Sequence, residues 1–152
     1  MLYHAYKLNL SDEIVDAVNS EGSWDAVPEG SAYMRLSFAK QDDEQLPMKV
    51  MCAALMGLYQ HGLTVEADSL DDVFEYDNAP CPVEGVDPVY HCRGLRSLSV
   101  GDVVRGVSLE KKSLHVCCSF GWVELPEDVA QAFSVMAQRI DYQRPNALLE
   151  AA

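Results

Sequence analysis

The chain opens on alternation. Leu2, Tyr6, Leu8 and Leu10 share one side of an extended segment, broken only by His4, and predict a strand over 2–10. Ser11 stands where an N-cap belongs. Asp12 and Glu13 suit the first turn of the short helix it opens, and Ile14, Val15 and Val18 form its apolar side. Two glycines and Pro28 mark 21–31 as a loop around Trp24. Ala32, Met34, Leu36 and Phe38 then alternate with Tyr33, Arg35 and Ser37, which predicts a second strand. After the solvated turn Gln41-Asp42-Asp43-Glu44, Pro47 fits the first turn of a helix over Met48–His61, closed by Gly62. That helix is apolar nearly all round, so it is expected to be central. Leu63–Ala67 predicts a short strand, and Ser69 caps a further short helix over Leu70–Tyr76.

Three prolines and a glycine make Asn78–Pro88 a loop or internal linker. Beyond it the pattern returns to period two: a strand from Asp102 to Ser108, a turn at Leu109–Lys112, a strand from Ser113 to Ser119 and a short strand over Trp122–Leu125. Pro126-Glu127-Asp128 opens a last helix carried by Val129, Phe133, Met136 and Ile140, with fraying expected after Tyr142. The fold class predicted is α+β: one single domain, with a small, mainly antiparallel sheet packed against two main helices.

Composition agrees with a globular chain. It has 152 residues, 49% of them hydrophobic, enough for one core without covalent staples. No apolar run reaches the roughly 18 residues of a membrane span, and Met1–Lys7 has neither the basic nor the apolar region of a signal peptide. The five cysteines, 52, 81, 92, 117 and 118, are odd in number and irregularly spaced. They are expected to be reduced thiols in a cytoplasm, mostly acting as small core residues.

Charge changes the picture more. The net charge is −13, and residues 1–90 hold 17 acidic and 4 basic side chains whereas residues 91–152 hold 7 of each. The two subregions therefore differ in kind. The acidic one should repel nucleic acid and anionic membranes and attract a basic protein partner.

Three stretches carry a resemblance. They are the acidic helix Leu70-Asp71-Asp72-Val73-Phe74-Glu75, the turn and strand Ser97-Leu98-Ser99-Val100-Gly101-Asp102-Val103-Val104, and a hairpin ending in Ser119-Phe120-Gly121-Trp122. The segment from about Ser69 to Leu125 resembles the YodL-like proteins of phages, plasmids and other mobile elements. The opening Leu2–Leu8 strand looks like uncharacterised phage proteins with the same tail, while Pro80–Arg93 departs from the pattern. The resemblance implies an accessory role, in some cases within large proteins thought to protect an invading element, and implies no chemistry. Physical reasons also suffice for these residues. Gly101 suits a positive φ, Asp102 can accept backbone N–H groups in a turn, and Gly121 would relieve crowding beside Phe120 and Trp122.

Candidate chemistry is sparse. Cys81, His91, Cys92, His115 and Cys117 have the soft donors of a zinc site but none of its spacings, so no metal and no cofactor are expected. Cys117 or Cys118 beside His91 or His115 would make a small Cys/His enzyme, but i and i+2 on one strand is no activated pair. No G-x-S-x-G and no phosphate-binding glycine loop occurs. Arg93, Arg96, Arg105, Lys111 and Lys112 cluster in sequence, yet the overall charge argues against direct nucleic-acid binding. Asp68, Asp71, Asp72 and Glu75 stand at i, i+3, i+4 and i+7 and would share one helix face. Asp12, Asp16 and the Asp42–Glu44 turn add further carboxylates. A row of this kind can imitate phosphates. The chain is therefore read as a non-enzymatic accessory protein that binds a protein partner through this acidic face, as an inhibitor of a host defence or nucleic-acid-handling enzyme would. The alternative is a structural, oligomerising module using Trp24, Phe120 and Trp122.

Overall fold

The computed structural model describes residues 1–142. The fraying expected after Tyr142 lies outside the described residues. Strands β1 (Leu2–Leu8), β2 (Tyr59–Glu66), β3 (Tyr90–His91), β4 (Val103–Val107), β5 (Lys112–Cys118) and β6 (Gly121–Glu124) form one sheet in the order β3-β2-β1-β4-β5-β6. Every neighbouring pair is antiparallel. Because β1 pairs with both β2 and β4, the acidic and charge-neutral parts of the sequence share one sheet. With helices α1 (Asp12–Glu21), α2 (Pro28–Ser37), α3 (Leu46–Leu55), α4 (Leu70–Asn78) and α5 (Glu127–Tyr142), the fold is α+β.

Both sheet faces are covered. On one, Tyr6, Leu8, Tyr59, Val103, Leu114 and Val116 pack against Leu36 of α2, Leu46, Val50 and Ala53 of α3, and Phe133 and Ala137 of α5. On the other, Tyr3, Ala5, Leu63, Val65 and Val104 pack against Val73 of α4 and Leu98. Alternation along β1 thus feeds two cores.

Several expectations are corrected here. Residues 32–37 are helix, not strand, and Phe38 is its C-cap. Pro28 sits in the first turn of α2, and the spacing Ala32–Leu36 puts both on the core side of a helix. Gly30 lets α2 close on the preceding turn, since a Cβ there would lie 2.3 Å from the carbonyl oxygen of Trp24. The helix expected over Met48–His61 ends at Leu55. Gly57, at φ +75°, reverses the chain, so Tyr59–His61 begins β2 rather than ending a helix. Nor is α3 central. Leu46, Val50, Ala53 and Ala54 are buried, but Met48 is 66% and Leu55 75% exposed. Helix α4 runs two residues past the expected Tyr76, to Asn78. The final helix and the hairpin unit stand within a residue or two of their expected bounds, and Ser11 and Ser69 both cap as expected. Gly121 has φ +124°, a conformation that L side chains rarely adopt.

Candidate functional site: an acidic helix beside an aromatic cleft

Helix α4 starts on a side-chain cap: Ser69 Oγ accepts from the Asp72 N–H at 3.2 Å, and Asp71 and Asp72 in the first turn suit the helix dipole. Val73 is buried in the second core, which seats the helix on the sheet. Its other end is held by a buried ion pair. Asp77 accepts from Lys7 Nζ at 3.0 Å and from the Leu98 N–H at 2.6 Å, and His91 Nε2 lies 3.3 Å away. Lys7 reaches this point because β2 carries an extra residue opposite β1, and that residue is Gly62; a Cβ there would lie 2.9 Å from Lys7 Cε. Burial lowers the His91 pKa, with Asp77 opposing the shift.

The four predicted acidic residues do not form one stripe. Asp68 precedes the N-cap, outside the helix. Asp68 and Asp72 lie on the side of Tyr3, whose phenol is pushed up by burial first and then by Asp68, Asp72 and Glu66. Asp71 lies on the other side, at a cleft. Asp68, Asp71 and Glu75 are exposed and Asp72 is half-buried.

That cleft, about 350 Å³, is lined by Asp71, Phe74, Leu98–Val100, Cys117–Ser119, Gly121 and Trp122. Phe74 meets Trp122 edge-on, with ring centroids 6.5 Å apart at 84°. Phe120 stands at the tip of the adjoining hairpin, 93% exposed. All three stretches of the family-like pattern therefore meet here: the acidic helix, the Ser97–Val104 turn and the Ser119–Trp122 hairpin.

The turn is fixed by Asp102. Its buried carboxylate accepts from the Leu8 and Ser99 N–H groups, each at 2.8 Å, and from Arg96 Nη1 and Nη2 at 2.7 and 2.8 Å. Arg96 also donates to the Leu8 carbonyl at 2.9 Å. Burial pushes the Asp102 carboxyl up while these four donors pull it down, and the Arg96 guanidinium is held above its ordinary value by Asp102. Gly101, at φ +93°, would place a Cβ 2.7 Å from the Leu36 carbonyl oxygen, so the turn requires glycine on two counts.

Other sequence candidates separate in space. Cys117 and His115 share a sheet face, but burial pushes the Cys117 thiol up to about 12 and lowers His115, which leaves a protonated thiol beside a neutral ring. Cys117 and Cys118 are buried as expected of core thiols, whereas Cys52 and Cys81 are exposed and Cys92 is half-buried. No group of three or more His, Cys, Asp or Glu side chains could hold a metal ion among the described residues. The basic residues also disperse: Arg96 is bound to Asp102, Lys111 to Glu124 at 3.0 Å, and Arg105 faces Tyr6 and Asp141. Trp24 stacks on Tyr33, centroids 5.7 Å apart, and lines a different cleft from Trp122.

Two features escape the sequence. One is a polar row across the sheet, in which register places Tyr90, Thr64, His4 and Arg105 side by side on four neighbouring strands. Thr64 Oγ1 lies 2.8 Å from His4 Nδ1 and 2.6 Å from His61 Nε2, and Tyr6 donates to Asp141 of α5 at 3.4 Å. His4 breaking the apolar side of β1 is its one sequence signal. The other is the exposed side of α3. No helix among the described residues is long and apolar enough to cross a membrane.

Compared with family models, with curated proteins and with solved structures, the chain finds no match.

Proposed function

We propose that the chain is a non-enzymatic protein-binding module whose cleft of Asp71, Phe74 and Trp122 takes a basic segment of a partner protein. The observation that carries this is the meeting of a carboxylate with an aromatic pair in one open cleft. Lysine and arginine are recognised by that combination, through the face of an aromatic ring and a charge-assisted hydrogen bond. Asp68, Asp72 and Glu75 add like charge elsewhere on and beside α4, and the −13 net charge draws a cationic partner over longer range. The resemblance of residues 69–125 to YodL-like proteins favours an accessory protein of a mobile element in a bacterial host cytoplasm. In that role the partner is a host defence or nucleic-acid-handling enzyme, and the acidic face occupies its basic groove. Nucleic acid is not bound directly, because the field repels it.

The test is capture of partners from host lysate by the chain and by a variant with Asp68, Asp71 and Glu75 all changed to Lys. Capture that is lost in the variant, and that weakens steeply as salt is raised, is expected. Equal capture by both proteins contradicts the proposal.

Self-association is the alternative, favoured by the exposed side of α3, where Met48, Cys52, Leu55 and Met56 follow one another at helical spacing. It predicts a mass above the monomer in light scattering, insensitive to salt.

A further inference from the structure

Strand β6 ends the sheet, and its outer side is an open edge. The direction of its main-chain groups follows from the ladder. The Leu125 N–H donates to the Leu114 carbonyl at 2.8 Å, which makes that pair a hydrogen-bonded one. Alternation then makes Val123–Val116 and Gly121–Cys118 bonded pairs, and Trp122–Cys117 and Glu124–His115 non-bonded pairs. Cys117 confirms the phase. Its N–H donates to Asp102 at 2.8 Å and its carbonyl accepts from Gly101 at 2.9 Å, both on the side away from β6. The N–H and C=O groups of Trp122 and Glu124 therefore point out of the sheet, and among the described residues they meet no partner. The opposite edge, β3, has only two residues.

An edge this short is commonly protected by its shortness alone. Here the edge residue Trp122 is also a wall of the cleft that holds Asp71 and Phe74. A strand added along β6 would carry every second side chain on the Trp122 face, beside that cleft. No cationic side chain lines the cleft, and a second copy of a chain with net charge −13 would be repelled.

Resting on the function proposed above, we propose that the partner's basic segment binds as a seventh, antiparallel strand on β6. Its main chain pairs with Trp122 and Glu124, and its Lys or Arg side chains on the Trp122 face meet Asp71 and the Phe74–Trp122 pair. This is strand addition, in which backbone hydrogen bonds supply affinity and alternate side chains supply specificity.

The register makes a sharp test. In an antiparallel pair, directly opposed residues that exchange hydrogen bonds lie on the same face, so the residues facing the cleft are also those bonded to β6. The probe is a fluorescein-labelled hexapeptide of alternating Lys and Val, titrated by anisotropy against the full chain. N-methylation of its lysines is expected to weaken binding about tenfold, from the loss of hydrogen bonds, and N-methylation of its valines to leave it unchanged. On the protein side, Glu124→Pro removes an outward N–H without touching the bonded pairs of β6. It is expected to weaken binding about tenfold relative to Glu124→Ala. Should Glu124→Pro fail to fold, the methylated peptides on the unaltered protein decide alone.

If Asp71→Asn weakens binding while N-methylation and Glu124→Pro do not, the cleft stands and strand addition is overturned. Loss with methylated valines in place of lysines overturns the antiparallel register. A peptide that does not bind, or one indifferent to Asp71→Asn, overturns the cleft as well. A dimer abolished by Glu124→Pro makes a second copy the occupant and overturns the proposal.

Discussion

Lys7 Nζ lies 2.9 Å from Asp77 Oδ2, and both side chains are sealed from water. The contact ties β1 to the last turn of α4, so the acidic helix is held against the sheet by a charge pair as well as by Val73. A buried pair of this kind adds little net stability compared with apolar residues, but breaking it on one side leaves an uncompensated charge. Lys7→Met should therefore cost about 3–5 kcal/mol in urea denaturation. A loss under about 1 kcal/mol would place the pair among ordinary surface bridges.

The carboxylate of Asp102 has four donors and is fully buried. Asp102→Ala strands the Leu8 and Ser99 N–H groups and the Arg96 guanidinium, and it should cost at least about 3 kcal/mol, more than Arg96→Ala. Denaturant midpoints measure both. Equal, small losses would mean that the turn is held by Gly101 and its neighbours alone.

Helix α3 separates two kinds of leucine. Leu46 is 1% exposed and Leu55 lies open to solvent. Leu46→Ala should cost about 2–5 kcal/mol, and Leu55→Ala should stay within about 0.5 kcal/mol. If the two losses were alike, the helix would be buried all round.

That last contrast shows where sequence is silent. The run Val50–Leu58 is apolar without a period, and such a run reads as buried on every side. Only the placement of the sheet tells the inner face from the outer one. Residues 32–38 fit two periods at once, since Ala32 and Leu36 serve a helix as well as a strand, and Pro28 with the packing of α2 on α3 decides between them. The caps at Ser11 and Ser69, the turn at Gly101-Asp102 and the last hairpin are legible because their signals are local. So is the acidic character of α4. What stays hidden is that Asp77, chemically identical to its neighbours, turns inward to Lys7. Hidden too is the approach of Phe74 to Trp122, because it depends on the register of β5 and β6.

Stability should fall with acid in a defined window. Burial sets the pKa values of His91 and His115 in the folded protein below the ordinary 6.5. A depressed pKa means that the folded state resists a proton that the unfolded chain accepts. The stabilising contribution is then complete above pH 6.5 and is lost as the pH falls from there toward the folded values. His115→Gln should flatten the decline in melting temperature over that interval. The same slope in both proteins would contradict the assignment.

The cleft itself is the central claim, and two-dimensional amide and indole NMR reads it most directly. Titration of the Lys-Val hexapeptide into the isotope-labelled chain should shift the Trp122 indole and the amides of Asp71, Phe74, Ser99 and Glu124 together, with a single saturation curve. Shifts confined to the exposed side of α3, or spread evenly over every acidic surface, would contradict it.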